Sequence, residues 1–319
     1  MTIKFKSSKG YSLIELLVTM AIMLIVLSAV YLTYISILKG YKKESATGSK
    51  IVEEQLGLEI VRKDISLAGL GLPSDISPVS ISGSGDNITL NLYSTQNPSY
   101  NKTLGYLVLK YDNSSNDWSI VYDKREDTTN NNIVVVDGNR KFWVSGIINY
   151  GKIPQDNATK PQNNNYISFG FPYDVSNYQT ISYKISGTPV ERCNPTTKNL
   201  TRNDIPIINC VKGFKIFFGV DSNGDGSSDI YLEDMTNNYL DNATKIYNNL
   251  NTITLYILTH DGGIDRSFNY TSDNITFTDS EIGKTVSFSL LGVQDYKYYR
   301  WKILKISGKT INVRSTITY

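Results

Sequence analysis

Hydrophobic and polar positions divide the chain into three patterns. From Tyr11 to Leu38 almost every residue is apolar and Glu15 is the only charge. About 20 apolar residues suffice to span a bilayer, so this run predicts a membrane helix. From Lys42 to Ala68 no proline interrupts, and Ile51, Leu58 and Ile65 recur every seven residues, with Val61 and Ala68 on the same stripe and Val52, Leu56 and Ile60 widening it. Glu53, Glu54 and Lys63 fall largely off that stripe, which predicts one buried and one wet face. Gly69, Gly71 and Pro73 then end the pattern, since glycine caps a helix and proline cannot continue it. Joined, the two halves form one helix from about Ser12 to Ala68, roughly 85 Å long at 1.5 Å per residue.

Beyond residue 72 the period changes to two. Asn87–Tyr93 alternates, with Ile88, Leu90 and Leu92 on one side. Short aromatic and β-branched runs follow at Leu104–Tyr111, Trp118–Tyr122, Ile133–Val136, Tyr166–Phe169 and Thr180–Ile185. Later runs are Phe214–Val220, Thr252–Leu258, Trp301–Ile306 and Thr310–Arg314. Polar turn formers such as Asp112–Asp117 and Asp137-Gly138-Asn139 connect them. Strands without intervening helical periods argue for antiparallel sheet. The fold class is therefore α+β: a transmembrane half-helix (11–38), an amphipathic half-helix (39–72) and an extracytoplasmic β-rich head (73–319) behind a short polar start (1–10).

Charge refines this picture. Lysine and arginine total 32 against 30 acidic residues, but Lys4, Lys6 and Lys9 precede the apolar run, so the remainder is slightly acidic. Nothing points to nucleic acid as a main partner, and the lysines mark a cytoplasmic flank. A carboxylate in bilayer hydrocarbon costs about 2.5–3.5 kcal/mol, so Glu15 predicts a positive partner. An ordinary signal peptide has an apolar core of only about 7–15 residues followed by its cleavage site. A plain signal anchor would leave Glu15 unexplained.

The order Lys9-Gly10-Tyr11-Ser12-Leu13-Ile14-Glu15 resembles the class III signal of type IV pilins, although tyrosine stands where phenylalanine is usual. The resemblance implies that residues 1–10 are a leader cut off between Gly10 and Tyr11 by prepilin peptidase, that the new amine is methylated, and that Glu15 pairs with a neighbouring subunit's N-terminus. It implies an inner-membrane precursor with a cytoplasmic N-terminus, an inner-membrane assembly platform, major and minor pilins as partners, and a final place in the pilus at the cell surface. A second resemblance spans most of the head. Gln55-Leu56, Ala68-Gly69-Leu70, Ile181–Ile185, Val190-Glu191-Arg192, Asn209–Phe214 running into Asp221–Gly226, Tyr299-Arg300-Trp301 and Asn312-Val313-Arg314 look like PilW-type minor pilins. The J pseudopilin of type II secretion shares the helix and part of the strand pattern. A minor pilin of assembly or tip adhesion, a pseudopilin, and a membrane-tethered binding protein are the functions this sequence allows; the 23 tyrosines suit an adhesive face or ordinary strands alike.

Three further features carry chemistry. Cys193 and Cys210, the only cysteines, form a disulfide in an exported head or remain two buried thiols. Asp221, Asn223, Asp225, Ser227 and Asp229 follow the spacing of a calcium loop, with Gly226 at the turn. Leu232 replaces the bidentate acid, leaving Glu233 as its substitute. Calcium competes there with a polar turn held by Asx hydrogen bonds. No lysine or arginine lies inside the loop, which favours a cation. His260, the only histidine, reads as part of a hairpin turn between Thr252–Leu258 and Arg266–Tyr270. A single histidine and no nucleophile-elbow pattern argue against hydrolase chemistry. Asn-X-Ser/Thr triplets at Asn87, Asn157, Asn242 and Asn274 read as products of an asparagine-rich composition.

Overall fold

The structure is a computed structural model describing residues 12–73, 75–95, 105–112, 114, 117–125, 132–137, 148–149, 166–172 and 179–310. Gly10, Tyr11, Asn157 and Asn312-Val313-Arg314 lie outside the described residues. Two compact units divide the chain, one up to Ile51 and one from Val52 onward.

Helix α1 (Leu13–Leu67) runs through both sequence patterns as one element. In the first unit its segment Leu13–Leu38 has a mean hydropathy of 2.6 and buries none of its apolar window, so by length and composition it can cross a membrane.

Every strand pairing among the described residues of the second unit is antiparallel. Its strands are β1 (Val79–Ser82), β2 (Thr89–Ser94), β3 (Leu107–Asp112), β4 (Asp117–Asp123), β5 (Asn132–Asp137), β6 (Ile148–Asn149), β7 (Tyr166–Pro172), β8 (Gln179–Ser186), β9 (Lys198–Arg202), β10 (Ile205–Val220) and β11 (Ile230–Leu232). A short helix α2 (Ala243–Asn249) precedes β12 (Leu250–Asp261), β13 (Asn274–Asp279), β14 (Lys284–Ser289) and β15 (Arg300–Lys309). The main sheet runs β1-β2-β8-β9-β10-β12-β15, with β11 on β10; β4-β3-β7-β5-β6 form a second sheet and β13-β14 a separate hairpin.

Alternation along β10 and β12 gives the main sheet two apolar faces. Phe214, Ile216, Phe218, Ile253, Leu255 and Ile257 pack with Val61, Ile65 and Ala68 of α1. Phe217, Tyr256 and Leu258 point the other way, onto Val286, Phe288 and Leu290 around the hairpin. Leu58, Val61, Ile65, Ala68 and Leu72 thus belong to the head's core.

The helix meets the sheet closely at two glycines. A β-carbon on Gly57 would lie 2.7 Å from Ile207 O, and one on Gly308 of β15 would lie 2.8 Å from Ile65 Cγ2. Glycine is required at Gly57 for the two backbones to approach and at Gly308 to admit the Ile65 side chain.

Several expectations need correction. Ile51, Val52 and Leu56 are 44%, 64% and 63% exposed, whereas Glu54 and Asp64 are buried. The buried stripe is Glu54-Gly57-Leu58-Val61-Asp64-Ile65-Ala68, because buried carboxylates find cations on the sheet. Arg266–Tyr270 forms no strand; β12 pairs instead with β10 and β15, and the hairpin of the region is β13-β14. The sheet pattern is also interrupted by α2, started by Asn242, whose side chain accepts from Lys245 N at 2.9 Å.

Candidate functional site

Two places carry candidate chemistry: the start of α1 and the polar positions of the head. Glu15 lies in the first turn of α1, where its backbone N–H donates to Ser12 O at 3.0 Å. It is exposed among exposed Leu13, Ile14, Leu16 and Leu17. An acid near a helix N-terminus gains from the helix dipole, by about 0.3–1 kcal/mol, which is too little to offset its burial in hydrocarbon.

Within the head, three acids of α1 dock on the sheet. Asp64, 3% exposed, receives Arg202 Nε at 2.5 Å and Nη2 at 3.1 Å, and the hydroxyl of Tyr183 also donates to it. Burial, reinforced by the Asp64 charge, pushes the Tyr183 hydroxyl far above its ordinary value and keeps it a donor. Glu54 accepts from Lys302 Nζ at 2.7 Å, and Lys302 also reaches Asp261 at 2.7 Å. Burial disfavours the charge on Lys302, but its bonds to Asp261 and Glu54 outweigh this and raise its pKa. Glu53 accepts from Arg192 at 2.9 Å and from Asn209 N at 3.1 Å. These docking residues escaped the sequence reading, which assigned Glu53 and Glu54 to the wet face. Their available signal was Gly57 inside the helix, a mark of close approach, with acids three residues before and seven after it.

Cys193 and Cys210 are joined by a disulfide with a Cα–Cα distance of 5.0 Å. Cys210 sits in β10 at φ 61°, left-handed backbone at an irregularity of the β9-β10 pairing. His260 is fully buried in β12, correcting the turn expected there. Its Nε2 accepts from Asn194 N at 3.0 Å, and its ring packs on Tyr299 and Trp301 with centroids 4.6 and 5.1 Å away. The two sulfurs and His260 lie together, yet the sulfurs bond each other, so the group acts as a covalent and aromatic clamp.

The candidate calcium residues fall in the loop from β10 to β11. Gly224 (φ 81°) and Gly226 (φ 87°) make its turns. Asp221, 3% exposed, accepts Gly224 N at 2.6 Å and Gly226 N at 2.7 Å. Asp229 accepts Ser222 N at 3.0 Å, and Asp225 accepts Ser227 N at 2.7 Å. That bond from Ser227, with the side chain of Asn223, lowers the Asp225 pKa. Lys309 Nζ reaches Gly226 O at 2.9 Å, so positive charge arrives from β15 although the loop has none of its own. Glu233 is placed three residues along the chain from Ile230, which faces Val220 at the loop's mouth; it lines a cavity beside Lys212 and Lys215. Asp221, Asn223, Asp225, Ser227 and Asp229 are thus brought together as a self-bonded turn, and Glu233 is not brought to them.

Comparison with known proteins adds one match. Residues 5–31 match the family described as the prokaryotic N-terminal methylation motif. The chain therefore carries a prepilin-type signal, the mark of pilin-like and pseudopilin-like proteins. This signal implies processing by prepilin peptidase and assembly with other pilins, and it fits membrane anchoring followed by incorporation into a filament. No curated protein and no solved structure matches the chain.

Proposed function

We propose that the protein is a minor pilin, a structural subunit that helps initiate or cap a type IV pilus. Glu15, the lone charge of the apolar run Tyr11–Leu38 and a residue of the matched methylation motif, carries the reading. Before assembly the apolar segment stays in the inner membrane with the N-terminus in the cytoplasm. After cleavage between Gly10 and Tyr11, the new amine and Glu15 supply opposite charges for contact between subunits. The head, which holds its own stretch of α1 through Asp64, Glu53 and Glu54, is the part of the chain displayed on the filament. Tip adhesion follows from such a position.

The test is Glu15→Ala in cells. Membrane insertion and leader cleavage should persist, because removing the acid favours lipid, while the protein disappears from sheared pili. Normal recovery in pili refutes the assembly role. Release only with a secretion pseudopilus would select the pseudopilin reading, and absence of the unmutated protein from any filament would leave a membrane-tethered binder.

We further propose calcium as a clip on the loop from Asp221 to Asp229, supported by its acid spacing and turn glycines. Binding requires the carboxylates to exchange some amide contacts for the cation, which points to the weak, roughly 10⁻⁴–10⁻³ M affinity of extracellular modules.

A further inference from the structure

The charges that flank the apolar segment of α1 run against the usual bias. Lys4, Lys6 and Lys9 precede the segment, and Lys39, Lys42 and Lys43 follow it. Cleavage between Gly10 and Tyr11 removes the first three, so the processed helix keeps no lysine or arginine up to Leu38 and three directly after it. Membrane helices concentrate such residues on the cytoplasmic side. That rule accounts for the lysines of the leader and leaves those on the far side unexplained.

The apolar segment and the far lysines belong to one continuous helix. At 1.5 Å per residue Tyr31 and Tyr34 lie about 27–32 Å beyond Leu13, the depth at which a hydrocarbon core of about 30 Å ends. Both tyrosines are exposed, as is Tyr41, and tyrosine collects at the membrane–water interface. Lys39, Lys42 and Lys43 follow at about 39–45 Å, where headgroups give way to water. Their i, i+3, i+4 spacing sets them on one face of the helix. No acid lies between Lys39 and Lys43. Glu44, one residue from Lys43 and two from Lys42, does not share that face and leaves the flank positive.

We infer that Lys39, Lys42 and Lys43 form a collar that binds the phosphate groups of anionic phospholipids, in the leaflet at the C-terminal end of the apolar segment. The inference rests on the reading that this segment spans a membrane before assembly. Lysine suits the place, because its long stem lets the ammonium reach the interface from a helix end. An anionic surface attracts each such lysine, and the tyrosines fix the depth at which the three stand. Drawing the helix out of the bilayer must then separate these charges from the lipid, so anionic lipid retains the subunit in the membrane until assembly takes it up.

The experiment reconstitutes the full chain into vesicles of phosphatidylcholine and phosphatidylglycerol, with Lys4, Lys6 and Lys9 changed to glutamine so that only the far lysines flank the segment. Flotation reads insertion, and spin-labelled forms of the two lipids read which one the protein immobilises. Phosphatidylglycerol should be preferred at least about fivefold, the worth of one lysine near a charged surface, and molar salt should screen the preference away. Lys39→Gln, Lys42→Gln and Lys43→Gln together should remove it with flotation unchanged, whereas arginine at the same three positions should keep it. Insertion with equal immobilisation of both lipids, or a preference that survives the three glutamines, overturns the inference and leaves the membrane reading standing. A preference lost in inorganic phosphate but kept in chloride of equal ionic strength would assign the lysines to free phosphate and overturns it too. A chain that fails to float overturns both readings.

Discussion

Replacing Asp64 by alanine tests whether α1 is an integral part of the head. The substitution leaves Arg202, whose side chain is 13% exposed, and fully buried Tyr183 facing an empty space. Breaking one side of a buried ion pair costs about 3–5 kcal/mol, because the remaining charge stays desolvated. The Tyr183 hydroxyl loses its acceptor as well, a penalty of about 1–3 kcal/mol that overlaps the first and is not added to it. A loss of about 3–4 kcal/mol is therefore expected. At roughly 2–4 °C per kcal/mol for a domain of this size, the midpoint should fall by about 6–16 °C. Thermal and urea unfolding of the full chain in detergent, followed by near-UV circular dichroism, measures both quantities. Asp64→Asn, which keeps an acceptor, should lose less. Asp64→Leu combined with Arg202→Met should recover most of the loss, since an apolar pair of similar volume replaces a buried ion pair at little cost. A loss under about 1 kcal/mol in Asp64→Ala would refute the view that this contact holds the helix to the sheet.

Three other perturbations have defined outcomes. Serine at Cys193 and Cys210 should lower stability by about 3 kcal/mol on the chain-entropy account for a loop of this length, and protein from the cell surface should show no alkylatable thiol before reduction. Asp279 is governed first by burial, which raises its carboxyl, but hydrogen bonds from Lys305 and Tyr256 outweigh this and hold it at about 2. Its folded value lies below its unfolded one, so its contribution is complete above about pH 4 and is lost as pH falls toward 2, at most about 2 kcal/mol; Asp279→Asn should flatten unfolding free energy across that window, and an unchanged slope refutes the assignment. A few millimolar calcium should stabilise the head by about 1–2 kcal/mol over chelator if sites of this weak class bind it, and equal midpoints with no effect of Asp225→Ala would leave the loop an Asx turn.

The sequence by itself determined what depends on local pattern. The apolar run to Leu38, the lone Glu15, the helix stop at Gly69 and Gly71 and the period-two runs were legible because hydropathy, backbone freedom and strand alternation act within a few residues. The runs expected at Asn87–Tyr93, Thr180–Ile185 and Phe214–Val220 overlap the strands β2 (Thr89–Ser94), β8 (Gln179–Ser186) and the later part of β10. The matched motif at residues 5–31 lies within that same local signal. What only the tertiary structure decided is which of two faces a pattern buries and which distant charges meet. Val52 and Leu56 obey the helical period yet face outward, while Glu54 and Asp64 turn inward because Lys302 and Arg202 wait on β15 and β9. Lys309 reaches an acidic loop more than eighty residues earlier in the chain, and His260 leaves its supposed turn for the middle of a sheet beside the disulfide. The strands of a sheet are joined by contacts between residues far apart in sequence, so their order is not written in any one segment; it follows from which strands can cover which apolar face.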